Sequence, residues 1–302
     1  MSRRFPMLQV DVFSERPLAG NPLAVFLDGA GLSDAEMQAI AREMNLSETT
    51  FVLPAEVAGA DYRVRIFTPV SELPFAGHPT LGTAFALLES GRIASRGDSF
   101  TLRQQTLAGV QPIDVRTRDG RRTFTMTLPE PRFEPAPARA ELVRALRIDE
   151  KDVSGEPATV VVGVGWHVVP LRSLDVVRDL APDFGRLAEL EARTGHPVTV
   201  FCREAEDPSC AVRVRSFAPG AGIPEDPVCG SGNGCVGAYL ARASGERAAL
   251  EYRAEQGVEM GRAGRASVRV EPDGEGWRVQ VGGSAVTVLE GELRLFDECA
   301  RA

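Results

Sequence analysis

Val64-Arg65-Ile66-Phe67-Thr68-Pro69 and Val214-Arg215-Ser216-Phe217-Ala218-Pro219 are one phrase written twice, once in each half of a chain of 302 residues. Each reads as a strand closed by proline. Each is followed by a short Pro-containing loop, and each loop leads to a glycine, Gly77 or Gly230, that opens an apolar helix. A repeated strand, loop and glycine-led helix predicts an α+β chain of two pseudo-symmetric lobes, each a sheet around a central helix.

Working outward, strand-like and helix-like runs alternate. Leu8 to Phe13, Ala24 to Leu27, Thr49 to Leu53 and Asp61 to Phe67 read as strands. Ser33 to Met44 reads as a helix capped by Ser33 with Glu36 three residues on. Thr80 to Leu88 reads as an apolar helix stopped by Gly91, followed by strands at Phe100 to Arg103, Gln111 to Arg116 and Thr123 to Leu128. Pro129, Pro131, Pro135 and Pro137 mark the inter-lobe linker, because proline removes ladder donors and breaks helices. Beyond it the order partly repeats: helix Arg139 to Arg147, strands Ala158 to Val164 and Trp166 to Pro170, helix Asp183 to Thr194, strands Val198 to Cys202 and Ala211 to Phe217, and helix Asn233 to Arg242. The lobes are expected at residues 1–128 and 129–287, with a C-terminal strand at about 288–302 completing the first.

The 34 Lys and Arg against 42 Asp and Glu give a net charge of −8, the wrong sign for a sequence-independent nucleic-acid binder. A local positive pocket for a small anion stays compatible with that balance. No run approaches the length of a membrane helix, and residues 1–12 lack a signal-type apolar core. Five cysteines without a C-x-x-C pair indicate neither a disulfide framework nor a zinc site, so a cytoplasmic, reduced protein is expected.

The two glycine-led helix starts hold the candidate chemistry. Pro74-Phe75-Ala76-Gly77-His78-Pro79-Thr80 places proline where a missing N–H costs nothing. Pro224-Glu225-Asp226-Pro227-Val228-Cys229-Gly230-Ser231-Gly232-Asn233-Gly234 offers Ser231 or Asn233 as a cap. Free N–H groups and the helix dipole make either start an anion site. One such loop alone reads as ordinary capping; two at equivalent places in a repeat suggest helix N-termini opposed around a shared substrate. Neither loop is a P-loop or a dinucleotide fingerprint, and no Ser-His-Asp set can be assigned.

These residues resemble the phenazine-biosynthesis-like (PhzF-like) isomerase family, within the diaminopimelate-epimerase and proline-racemase type of fold. The resemblance spans nearly the whole chain through Asp11-Val12-Phe13 with Gly20-Asn21-Pro22-Leu23-Ala24-Val25, Asn45-Leu46-Ser47-Glu48-Thr49-Thr50-Phe51, Phe75-Ala76-Gly77-His78-Pro79-Thr80, and Glu225-Asp226-Pro227-Val228 running into Gly230-Ser231. It implies barrel-like mixed sheets wrapped around the central helices. It implies a cofactor-independent, metal-free isomerase that moves a proton on a small carboxylate-bearing substrate, as in isomerisation of 2,3-dihydro-3-hydroxyanthranilate. By the same resemblance Glu48 shuttles the proton, His78, Asp226 and Ser231 line the pocket, and N–H groups of Gly77 and Gly230 hold the carboxylate. A homodimer is implied as well. Read without the family, Glu48 is a solvated carboxylate ahead of a strand.

Cys229 keeps a second route open. Epimerases and racemases of this fold class use one thiol per helix start, but the position mirroring Cys229 is Ala76. A symmetric two-thiol reaction is disfavoured; a one-base epimerase or dehydratase acting on an amino or hydroxy acid is not, since a thiol at a helix N-terminus is expected to ionise readily. Alternatively, Cys229 only fills space. A third reading is a metabolite-binding protein without turnover.

Overall fold

The computed structural model describes residues 2–296. Cys299 and residues 297–302 of the expected closing strand lie outside them. Two compact units are present among the described residues, 2–126 with 284–296, and Thr127–Gly283.

The first unit is a mixed sheet in the order β18 (Ala285–Phe296), β1 (Ser2–Val12), β2 (Asn21–Phe26), β3 (Glu48–Leu53), β4 (Tyr62–Phe67), β6 (Ser99–Thr106), β7 (Gly109–Arg118) and β8 (Arg121–Leu128). All neighbours are antiparallel except β2 with β3 and β4 with β6. The short β5 (Glu72–Leu73) adds to β4. The second unit runs β9 (Arg132–Glu134), β10 (Ala158–Val162), β11 (Val164–Pro170), β12 (Val198–Cys202), β13 (Val212–Ala218), β15 (Leu250–Gln256), β16 (Gly264–Asp273) and β17 (Gly276–Gly283). Its parallel pairs are β11 with β12 and β13 with β15, and β14 (Ile223–Asp226) adds to β13. Read across each sheet, the order of parallel and antiparallel neighbours is identical. The repeat seen in six residues extends through a whole unit.

Each sheet wraps a helix. In α2 (Gly77–Glu89) every residue from His78 to Leu88 is buried, as expected of a helix apolar on all sides. In α6 (Gly230–Ala243) the buried set includes Gly230, Gly232 to Ala238, Leu240 and Ala241. Close packing requires small residues there: a Cβ on Gly82 would meet Leu23 Cδ2 at 2.6 Å, and one on Gly234 would meet Leu128 Cδ1 at 2.3 Å. On the outer faces, α1 (Asp34–Met44) packs Met37, Ile40 and Ala41 onto Phe26 and Phe51. Helices α3 (Arg139–Leu146), α4 (Leu174–Arg178) and α5 (Phe184–Thr194) do the same in the second unit through Leu142, Val177, Leu187 and Leu190.

Several boundaries differ from the sequence reading. The proline-rich stretch is not a bare linker, because Arg132–Glu134 forms β9 between Pro131 and Pro135 and pairs with β10. Three residues with free N–H groups suffice for an edge strand. Helix α6 starts at Gly230 rather than Asn233, since burial of its glycines outweighs their poor helix propensity. Helix α4 and strands β15 to β17 had no counterpart in the sequence reading.

Candidate active site

The first group of candidate residues lies in the first unit. Asn45 ends α1 in the left-handed conformation (φ 49°) and turns the chain so that Glu48, three residues on, begins β3 opposite Leu23 of β2. Glu48 is only 7% exposed, so it is not a solvated carboxylate. Helix α2 begins at Gly77 after Ala76, whose methyl supplies no cap. His78, its second residue, is 5% exposed. Its Nε2 lies 3.4 Å from Glu48 Oε2, an approach that does not qualify as an aligned hydrogen bond.

Burial pushes the His78 imidazole down to about 3, against the opposing effect of a hydrogen bond to the Pro22 carbonyl. The ring is therefore neutral at neutral pH. A carbonyl only accepts, so one ring nitrogen spends its N–H on Pro22; Nε2, which makes no hydrogen bond of its own, is the other. That leaves a bare nitrogen lone pair directed at the Glu48 carboxyl.

The second group lies in the second unit. Cys229 is the residue that caps α6, its Sγ accepting the Gly232 N–H at 3.3 Å; neither Ser231 nor Asn233 is the cap. Ser231 Oγ is 3.5 Å from Cys229 Sγ and accepts the indole N–H of Trp166 at 2.9 Å. One buried amide, Gln256, fastens this start to β14. Its Oε1 accepts from Cys229 N at 3.2 Å and Asn233 Nδ2 at 2.7 Å, while its Nε2 donates to the Asp226 carbonyl at 2.9 Å. Asp226 is half-buried at the end of β14.

The expected low thiol pKa at Cys229 is overturned. Burial raises it well above the ordinary value, the Asp226 carboxylate raises it further, and hydrogen bonds from Ser231 and Gly232 only partly compensate. A helix dipole contributes about 0.3–1 kcal/mol near its end, whereas burial can move a pKa by about 3–5 units. The thiol is protonated at neutral pH.

Glu48, His78 and Gly77 thus gather at one helix start, and Asp226, Cys229, Gly230 and Ser231 at the other. Sequence reasoning missed Pro22, Trp166 and Gln256. Gln256 has a counterpart in role but not in register: in the first unit buried Gln104 donates to Thr80 at 3.0 Å, from a position two residues earlier along its strand relative to the repeated Val-Arg-x-Phe-x-Pro run. His167 is a buried packing residue, its two ring nitrogens 2.8 Å from Thr159 Oγ1 and 2.9 Å from Thr194 Oγ1.

The profile of the phenazine biosynthesis-like proteins matches residues 10–291. Trans-2,3-dihydro-3-hydroxyanthranilate isomerase of Pseudomonas fluorescens is 37% identical, over 95% of this chain and 98% of the relative. Antisense-enhancing sequence 1 of Schizosaccharomyces pombe is 36% identical, over 94% of this chain and 97% of the relative. The crystal structure of a PhzF-family phenazine biosynthesis protein from Bacillus anthracis superposes with a TM-score of 0.89 at 32% identity, covering 97% of this chain and 100% of that one. The chain belongs to the phenazine biosynthesis-like family, and it is an isomerase.

Proposed function

We propose that this family member moves a proton between two carbons of a small, conjugated, carboxylate-bearing molecule, with Glu48 as the carrier and trans-2,3-dihydro-3-hydroxyanthranilate as the compound to try first. The observation that carries the reading is the buried pair of Glu48 and neutral His78, 3.4 Å apart.

The Glu48 carboxylate takes a proton from an sp³ carbon, and the released electron pair delocalises into the conjugated system. Once Glu48 carries the proton, its O–H finds the waiting lone pair of His78 Nε2. Return of the same proton to a second carbon completes the isomerisation without net gain or loss. An N–H group at each helix start, Gly77 in one unit and Gly230 in the other, is proposed as a carboxylate-binding group, and Asp226 and Ser231 are proposed as partners for polar substituents. No residue is assigned to a metal or an organic cofactor.

A protonated, buried thiol at Cys229 weighs against the epimerase or dehydratase route, which needs a thiolate. A homodimer, resting on the family resemblance, and a cytoplasmic location, resting on the cysteine pattern, complete the proposal. No helix among the described residues is long and apolar enough to cross a membrane.

The test is solvent exchange. Wild-type protein incubated with the compound in D₂O should incorporate deuterium into recovered substrate or product. Glu48→Gln, folded by circular dichroism, should incorporate none. A Glu48→Gln protein that exchanges at the wild-type rate removes Glu48 from the mechanism.

A further inference from the structure

We infer that Trp166 is a positioning residue, whose indole N–H sets the direction of a hydrogen-bond chain running through Ser231 and Cys229 to Asp226. The inference deepens the reading of Ser231 and Asp226 given above and rests on that reading for its catalytic consequence.

The direction follows from which atoms can only donate. An indole nitrogen has no lone pair to offer, so Trp166 Nε1 must be the donor in its 2.9 Å contact with Ser231 Oγ. The indole is buried on β11, a strand paired on both sides, and cannot easily turn away. With one Ser231 lone pair occupied, the hydroxyl hydrogen is directed to an acceptor, and Cys229 Sγ stands 3.5 Å away. Sulfur also receives the Gly232 N–H at 3.3 Å. Its own hydrogen then points to Asp226, whose carboxylate is hydrogen-bonded to the thiol. Donors and acceptors are consistent in one sense only: indole to hydroxyl to thiol to carboxylate. Cys229 is, in this reading, a link that orients Asp226.

The first unit shows that this strand position is used for such a purpose. In the parallel pairs, Leu23 faces Glu48 and His167 faces Val198, so Pro22 and Trp166 occupy equivalent places one residue earlier. Each contacts the second residue of the central helix, Pro22 through a carbonyl that accepts from His78, and Trp166 through an N–H that donates to Ser231. The polarity is opposite. In one unit the helix residue is made to donate, in the other to accept.

Two measurements test it. With ¹⁵N labelling, the chain's two tryptophans give two indole signals; Ser231→Ala should move the Trp166 indole proton upfield and speed its exchange with water, leaving Trp277 unmoved. An unmoved Trp166 signal overturns the inference. In turnover of trans-2,3-dihydro-3-hydroxyanthranilate, Trp166→Phe should lower kcat by roughly threefold to tenfold with little change in KM, the scale of one neutral hydrogen bond. In a Ser231→Ala background the same substitution should cost nothing further, whereas equal losses in both backgrounds would mean that Trp166 only packs. Should wild-type protein leave the compound unchanged, the substrate assignment fails and the indole signal alone decides this inference.

Discussion

At the start of α2 the cap is Ala76, the next two residues are Gly77 and His78, and the fourth, Thr80, returns a hydrogen bond of 2.8 Å to the cap carbonyl. At the start of α6 the cap is Cys229, the next two are Gly230 and Ser231, and the fourth, Asn233, returns a bond of 2.8 Å to its cap carbonyl. A buried glutamine braces that fourth residue in each unit, Gln104 at 3.0 Å and Gln256 at 2.7 Å. Three residues beyond the left-handed turn that ends the preceding helix stands Glu48 in one unit and Val198 in the other. The scaffolding is duplicated and the proton-carrying groups are not. Backbone geometry is what the repeat retains, so reactive chemistry has to be assigned position by position rather than inherited from the partner unit.

The largest expected effect breaks the comparison at those two strand starts. Glu48→Gln should lower turnover by about 10²–10⁴-fold, the usual range for a positioned acid–base group. Val198→Ala should instead cost stability, about 1–3 kcal/mol for a buried truncation, with turnover within a few fold of wild type. Steady-state kinetics beside urea unfolding separates the two. Equal kinetic losses would mean that both positions serve the chemistry.

A structural contrast comes next. Arg65 grips Glu72 with two bonds of 2.7 Å, and Arg215 grips Glu225 with bonds of 2.8 and 2.9 Å; each guanidinium also lies 5.1 Å from the centre of the Phe two residues on. Burial separates them: the Glu72 side chain is 24% exposed and that of Glu225 12%, and Arg215 also donates to the carbonyls of Val177 and Leu180. Arg215→Met strands a buried carboxylate and two carbonyls, at about 3–5 kcal/mol. Arg65→Met should cost about 1–2 kcal/mol, nearer the exposed case. Urea midpoints check the order, and a larger loss at Arg65 would contradict the burial argument.

Each unit also buries one neutral histidine. His78 is pushed down to about 3 and His167 to about 4, mainly by burial. In the unfolded chain both take a proton near an ordinary pKa of about 6.5. The folded state refuses that proton, so the contribution to stability is complete above about 6.5 and is lost as pH falls toward 4 and then 3. Between pH 6 and 5 the slope should approach about 1.4 kcal/mol per pH unit for each group. Unfolding titrations across that interval should show His78→Gln and His167→Gln each flattening the slope by a similar amount. A slope that neither variant changes would mean that the rings are protonated in the folded protein.

How far this was legible in the sequence depends on whether a feature is local. The Ser33 and Glu36 capping box is complete within four residues, and α1 forms where it predicts. The two Val-Arg-x-Phe-x-Pro runs are equally self-contained and revealed the duplication. Strand β15 was unreadable because its inward positions include Ala254 and Gln256 rather than a run of large apolar residues. The glycines of α6 oppose a helix locally and make sense only against Leu128 and the sheet. Motif reading named Glu48, His78, Asp226 and Ser231 at the two helix starts, but the groups that orient them, Pro22, Trp166 and Gln256, act from strands distant in sequence.

Cys229 gives the smallest and sharpest contrast, because Ala76 offers no thiol at the matching cap. The helix N-terminus and two hydrogen bonds favour a thiolate there; burial and the Asp226 carboxylate oppose it and prevail. Iodoacetamide at pH 8 should therefore alkylate half-buried Cys210 well before Cys229 in folded protein, with the two rates converging in urea. Peptide mass mapping reads the order directly. If Cys229 is modified first, its sulfur is ionised in the folded state, the cap resembles the thiol sites of epimerases after all, and the one-thiol route regains its standing against Glu48.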